Sequence, residues 1–202
     1  MKPRVFNVVL TGVGGQGIIT LGKVLGEAAL IEGFDVGVSE IHGMAQRGGS
    51  LMVHVRFGET VYSPLIPKFK AHVLLGLEGI EAVRHCGYLM PGGCLILNNY
   101  IIYPSTSHLK VDLNDLLDKI TSAFKGNIKI YRVNASEIAL KLGNVNVANS
   151  VMLGSLSALN LLPLKEKSYL KALEKVIPKK FLGVNFEAFK LGKEAVERGY
   201  KV

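Results

Sequence analysis

The sequence predicts an α/β protein: a Rossmann-like, doubly wound and mainly parallel sheet, with an antiparallel edge hairpin and helices gathered near the C-terminus. Three observations lead there. An apolar, β-branched stretch, RVFNVVL, runs directly into the glycine-rich turn TGVGGQG and then into helical spacing. Further along, short apolar runs alternate with amphipathic stretches, as strands and helices do when they take turns. The composition, 49% hydrophobic with 23 glycines in 202 residues, suits a compact α/β chain rather than a disordered one. A chain of this length buries about 70% of the surface its unfolded form exposes. With no internal repeat, low-complexity segment or separating linker, residues 1–202 are expected to form one domain.

Each element has a local reason. After the first strand, Ile18, Leu21, Leu25, Ala28, Leu30 and Ile31 recur at helical spacing, and Gly33 ends the helix. FDVGVSEI reads as a second strand finishing near Glu40, followed by the polar, glycine-bearing loop His42 to Gly49. SLMVHVRF alternates as a strand should, Gly58-Glu59 turns it, and TVYSP is expected to return as a short partner strand. AHVLLGLE is a buried strand leading to a short helix, GIEAVRHC. Pro91-Gly92-Gly93 is expected to turn the chain into another buried strand, CLILNNY. Asp112 is placed to cap DLNDLLDKITSAF, NIKIYRV is a strand, and Asn134 is placed to cap NASEIALKLG. The continuous apolar run NVNVANSVMLGSLSALNLLP predicts a buried helix ended by Pro163. KEKSYLKALEKVIP and FEAFKLGKEAVERGY are amphipathic helices.

Several function classes are disfavoured by composition. Cys86 and Cys94 show no metal-ligand spacing, point to a reducing intracellular setting, and fall short of the four thiolates of an iron–sulfur cluster. The opening MKPRVFNVV has too short an apolar run for a signal peptide, and no stretch approaches the roughly 20 apolar residues of a membrane span. A cytoplasmic protein with no membrane contact is expected. Net charge is +8, but Lys165, Lys167, Lys171, Lys175, Lys179 and Lys180 lie along helical stretches with no aromatic–basic interleaving. That describes a solvated face rather than a nucleic-acid surface. A basic rim also steers an acidic partner or an anionic substrate.

Chemistry concentrates in two loops. Gly12-x-Gly14-x-x-Gly17 matches the dinucleotide pattern, in which free N–H groups at a helix N-terminus hold an anion. In that pattern Gly12 makes the turn, Gly14 admits a ligand against bare backbone, and Gly17 lets helix and strand pack closely. A plain strand-to-helix turn that binds nothing is the competing account. The second loop offers His42, Gln46 and Arg47. Arg47 has the planar fork for a phosphate or carboxylate, and His42 either donates to an anion or ties the loop to backbone. Both loops are expected at the carboxyl ends of neighbouring strands, converging on one crevice. Glu40, about 20 residues past the last glycine, stands where a dinucleotide domain keeps its ribose-gripping acid, so a stand-alone dinucleotide-binding oxidoreductase is an alternative. No Ser-His-Asp arrangement or H-E-x-x-H motif is visible, and no catalytic residue is assigned to the chain beyond possible contributions from His42 and Arg47. His54, His72, His85 and His108 read as isolated structural residues.

Taken together, GVGGQGIIT, SEIHGMAQRGGSLMVHVRFG, YSPLIP, VLLGLEGIEAVR and ANSVMLGSL resemble the gamma subunit, or domain, of the 2-oxoacid:ferredoxin oxidoreductases. Gly43-Met44-Ala45, where relatives acting on pyruvate or 2-oxoglutarate tend to have glycine–proline–acid, resembles the beta subunits of the indolepyruvate type. His72 stands where the family usually has Asp. The resemblance implies oxidative decarboxylation of an aryl-pyruvate to an aryl-acetyl-CoA by a complex in which this chain is inactive alone. Gamma subunits for pyruvate, 2-oxoglutarate or branched-chain oxoacids are the alternative within the family. A larger alpha subunit would carry thiamine diphosphate and [4Fe-4S] clusters and serve ferredoxin. This chain would form one wall of the site, with Gly12, Gly14, Gly15, Gln16 and Gly17 receiving coenzyme A. His42, Gln46 and Arg47 would face the partner or the substrate carboxylate. Asn149 would cap the buried helix and touch the crevice, or serve structure alone. Apolar surface left bare without the partner implies a homodimer of the isolated chain.

Overall fold

The computed structural model describes residues 5–43, 48–103 and 111–197. The chain runs β1 (Val5–Val13), α1 (Ile18–Ile31), β2 (Asp35–His42), β3 (Ser50–Gly58), β4 (Ala71–Gly76), α2 (Gly79–His85), β5 (Leu89–Asn98) and α3 (Leu113–Ala123). It continues with β6 (Lys129–Val133), α4 (Ala135–Lys141), α5 (Ala148–Ala158), α6 (Glu166–Val176) and α7 (Leu182–Glu197). The strands form one sheet in the order β2-β3-β1-β4-β5-β6. β1, β4, β5 and β6 pair in parallel, while β3 is antiparallel to both β1 and β2.

One face of the sheet packs Val8, Leu10, Val53, Leu75 and Ile96 against α1 and the helices that follow β6. The other packs Val9, Met52, Leu74 and Leu95 against α2 and α3. Strand residues of alternating parity serve the two faces, which is why the central strands are apolar throughout. Close approach of α1 to the sheet is set by Gly22, where a Cβ would stand 2.7 Å from a Val53 methyl. Gly26, opposite Val38, does the same further along the helix.

The α/β class and the antiparallel edge hold, but the hairpin is built differently. It joins β2 and β3 through the loop 43–49, and β3 is inserted between β2 and β1. TVYSP forms no strand. Residues 59–70 cross the face of β3 and β2 as irregular chain, tied by Arg56 Nη1 to the carbonyls of Ser63 and Leu65. Val61 N–H reaches Asp35 and Ile66 N–H reaches His54, so this backbone finds its partners outside any ladder. Pro91-Gly92-Gly93 does not precede a strand but lies inside β5, where the register on β4 jumps from Ala71–Leu89 to Val73–Cys94. Gly92, at φ 79°, absorbs that irregularity. The helix expected up to Pro163 ends at Ala158, because Asn160 turns left-handed at φ 48°. Asp112 caps α3 as expected, through Asn114 N–H at 2.6 Å. Asn134 makes no side-chain cap for α4; Asn98 of β5 supplies it, accepting Ser136 N–H at 3.1 Å. Among the described residues no helix is long and apolar enough to cross a membrane.

Candidate functional site

At the carboxyl edge of the sheet the chain departs from β1 towards β3 and β2 and from β4 towards β5 and β6, with α1 and α2 on opposite faces. Such a switch point opens a crevice between strand ends. Here it continues into a cleft of about 660 Å³ reached by Gly15, Gln16, Leu77, Asn98, Tyr100 and Ile102, with α4 and the chain around Val145 as the far wall.

The glycine loop forms its near wall. Gly17 adopts φ 76° just before α1, a left-handed conformation that favours glycine, and a Cβ there would stand 2.5 Å from Asn149 Nδ2. Gly15, at φ 105°, is exposed, and among the described residues beyond its chain neighbours no atom lies within 4 Å of where its Cβ would be. Gly12 lies within β1, where a Cβ would stand 2.5 Å from Gln16 Oε1 and 2.8 Å from Ile18 Cδ1. Its bareness therefore admits the Gln16 side chain rather than making a turn. That side chain folds back on the loop: Oε1 accepts Val13 N–H at 2.7 Å, and Nε2 donates to the Leu77 carbonyl at 3.2 Å. Leu77 O also takes Asn98 Nδ2 at 2.9 Å, while Leu77 N–H donates to Thr11 O. The ends of β1, β4 and β5 are thereby tied at one residue.

The two loops do converge. Gly14 N–H donates to Gly49 O at 2.9 Å, and Gly43 N–H donates to Ser50 O at 3.4 Å. Gly14 thus spends its donor within the protein, as Gln16 spends its own on Val13 O. No backbone acceptor among the described residues takes the N–H of Gly15 or Gly17, Gly15 lines the cleft, and the α1 N-terminus beside them favours an anion.

Of the other sequence-derived residues, Asn149 is buried, donates to Gly17 O at 3.3 Å and accepts Ser150 N–H at 2.7 Å. It joins α5 to the glycine loop without lining the cleft. His42 is exposed at the end of β2. Glu40 is exposed on the same edge strand, and β3 separates it from β1 by two strand spacings, about 10 Å. A ribose-gripping acid sits on the strand beside β1, so this topology disfavours the dinucleotide arrangement. Gln46 and Arg47, like His108, lie outside the described residues. His72 accepts Asn7 N–H on Nδ1 at 3.0 Å, which a carboxylate also does, so His for Asp preserves an acceptor. Burial pulls the His72 pKa below its ordinary value, in keeping with a neutral ring.

Sequence reasoning missed a polar cluster beneath the loops. Ser50 Oγ donates to Glu81 Oε2 at 2.5 Å and lies 3.3 Å from His85 Nε2. His85 Nε2 stands 3.5 Å from that same oxygen, and Arg84 Nε is 3.4 Å from Oε1. His85 is therefore not isolated. Burial raises the Glu81 pKa, but the His85 and Ser50 hydrogen bonds and the Arg84 charge outweigh it and hold the carboxyl below its ordinary range. Ser50 meets Glu81 directly instead of through His85, so the three do not form a nucleophile relay. Beside it, Glu78 is buried, capping α2 through Glu81 N–H and accepting Ile102 N–H. No local signal joins Ser50 to residues thirty positions away.

Comparison with known proteins agrees with this architecture. The indolepyruvate oxidoreductase subunit IorB of Thermococcus kodakarensis is 38% identical over 194 residues, covering 95% of this chain and 96% of that protein. The keto/oxoacid ferredoxin oxidoreductase gamma subunit from Geobacter sulfurreducens superposes with a TM-score of 0.73 over 96% of this chain and 99% of its own, at 24% identity. A 2-oxoglutarate:ferredoxin oxidoreductase from Magnetococcus marinus gives a TM-score of 0.75 at 21% identity; the match spans all of this chain but 32% of that one. The family model described as pyruvate ferredoxin/flavodoxin oxidoreductase matches residues 7–195. With the fold, the converging loops and the full-length relatives in agreement, this chain belongs to the pyruvate ferredoxin/flavodoxin oxidoreductase family, among subunits of the indolepyruvate type.

Proposed function

We propose that this chain is the small subunit of an indolepyruvate:ferredoxin oxidoreductase, working in the cytoplasm with a larger subunit that carries thiamine diphosphate and the iron–sulfur clusters and passes electrons to ferredoxin. The thiols support that division: Cys94 is buried, with burial pushing its pKa up to about 12, and burial also raises that of half-buried Cys86. Two such thiols are poorly suited to cluster ligation. Thiamine diphosphate and the clusters supply the carbanion and one-electron chemistry. This chain's part is to bind and orient coenzyme A.

The observation that carries the reading is the junction of Gly14 with Gly49, which sets two glycine-bearing turns side by side at the mouth of the cleft. The open donors at Gly15 and Gly17 and the α1 N-terminus suit the pyrophosphate of coenzyme A. The adjoining cleft suits its neutral, amide-bearing arm. Asn98, Asn99, Asn134 and Asn146 line it together with Tyr100, Ile102, Leu140 and Val145, and among the described residues Glu137 is its single charged lining residue. Glu137 is paired with Lys141 at 2.7 Å.

Reconstitution with the larger subunit tests this. Ranking oxoacids by kcat/KM should place indolepyruvate above pyruvate, 2-oxoglutarate and branched-chain oxoacids; another winner assigns the chain to that sister enzyme. Gly15→Asp introduces a carboxylate where the pyrophosphate is expected, and should raise the coenzyme A KM at least tenfold with the oxoacid KM unchanged. An unchanged coenzyme A KM rejects the loop as its site.

A further inference from the structure

We propose that Ser50 and Glu81 are positioning residues for the glycine loop: through Ser50, Glu81 sets where the Gly49 carbonyl meets Gly14 and so fixes the open donor at Gly15. The inference rests on the reading of that loop as the coenzyme A wall, but its structural half is testable without coenzyme A.

Ser50 is the first residue of β3 and stands opposite Val13, the last of β1. Its neighbour Gly49 accepts Gly14 N–H, and its own carbonyl accepts Gly43 N–H. Both stems of the second loop and the start of the glycine loop therefore meet at this residue. Pairing alone leaves the first residue of a strand freer to fray than its centre, since the residue before it adds no further ladder pair. Here the side chain prevents that, because Ser50 Oγ points to the face covered by α2 and donates to Glu81.

Glu81 is itself held from several directions. Its carboxylate takes Ser50 and His85 on one oxygen and Arg84 on the other. Its N–H donates to Glu78, and its carbonyl accepts Thr11 Oγ1 at 3.4 Å. Thr11 is two residues before Val13 on β1, so one residue of α2 grips both strands that feed the loops. Glu81 is 6% exposed. A buried carboxylate is costly, and an apolar side chain would fill the same space at no such cost. What the carboxylate adds is direction: it accepts from one hydroxyl at one place.

Two measurements separate the parts of the claim. In the full chain, amide exchange at Gly14 should accelerate at least tenfold in Ser50→Ala, while amides of β5 such as Leu95 keep wild-type rates. Ser50→Thr, which retains the hydroxyl, should restore protection, and Glu81→Gln should fall between. In the reconstituted complex, Ser50→Ala should raise the coenzyme A KM three- to tenfold with kcat within twofold, again rescued by Thr. Unchanged Gly14 exchange in Ser50→Ala overturns the proposal whatever the kinetics show, and so does exchange that rises equally at Gly14 and Leu95. Faster Gly14 exchange with an unchanged coenzyme A KM upholds the positioning role and rejects the loop as the coenzyme A wall.

Discussion

His54 shows how much one buried side chain can bind to pH. It sits in β3, 1% exposed, with Nδ1 accepting Ile66 N–H at 3.0 Å, no hydrogen-bond partner for Nε2 among the described residues, and its ring in a T-shaped pair with that of Tyr88. Burial, reinforced by the nearby His85 and Arg56, depresses its pKa from 6.5 to about 4. The folded chain thus holds a neutral ring where the unfolded chain takes up a proton below pH 6.5. Stability from this group is full above that value and is lost as pH falls towards 4. Between pH 7 and pH 5 the loss is about 2 kcal/mol, a large share of a typical domain's stability. Urea denaturation at the two pH values should show it. His54→Asn, whose Oδ1 replaces Nδ1 as the acceptor for Ile66, should flatten most of that dependence even though the variant is less stable at pH 7. An unaltered slope would assign the pH dependence to other groups.

At the scale of elements, the tightest joint is between α5 and α7. A Cβ on Gly154 would stand 1.9 Å from the Phe189 carbonyl oxygen, and one on Gly192 would stand 1.9 Å from that of Val151. Ser155 Oγ, donating to Gly192 O at 2.9 Å, uses the same closeness. Since both obstacles are backbone, no rotamer change relieves them, and the helices must separate. Gly154→Ala and Gly192→Ala should each cost about 3 kcal/mol in urea unfolding, at the upper end for overpacking. Gly183→Ala, on the same α7 with nothing within 4 Å, should lie within about 0.5 kcal/mol of wild type. This joint also marks the limit of what the sequence discloses. Elements announced by periodicity or a local cap, such as α1 after its glycines and α3 after Asp112, are found where expected. TVYSP failed because β-branched residues beside a turn signal cannot reveal that β3 already has β1 and β2 on its two sides. The site divides similarly. The glycine loop is a contiguous signal, whereas Gln16 bracing Leu77, Asn98 capping α4 and Ser50 meeting Glu81 are made by partners 61, 38 and 31 residues apart.

For the molecule as a whole, the cleft has one wall of glycine loop, one of α4 and the chain before α5, and an apolar mouth. Leu140 and Val145 are 66% and 63% exposed there, and Tyr100 and Ile102 line the same cleft. Large apolar side chains scattered singly are ordinary on a protein surface, but several around the opening of one cleft are the pattern of a face that another surface covers. On the proposed function, the larger subunit is the surface that covers it. Leu140→Ser with Val145→Ser should therefore raise at least tenfold the concentration of this chain that gives half-maximal activity when titrated into the larger subunit. Tenfold corresponds to about 1.4 kcal/mol in all, about 0.7 kcal/mol for each truncated side chain. Residues so exposed add little to the fold, so the midpoint of thermal unfolding of the isolated chain should stay within about 2 °C. The coenzyme A KM at saturating subunit separates the remaining possibility. If affinity between subunits is unchanged and that KM alone rises, the apolar mouth holds the substrate's arm rather than the partner. On the proposed division of labour, with thiamine diphosphate and the clusters on the larger subunit, the isolated chain, wild type or variant, should turn over no oxoacid.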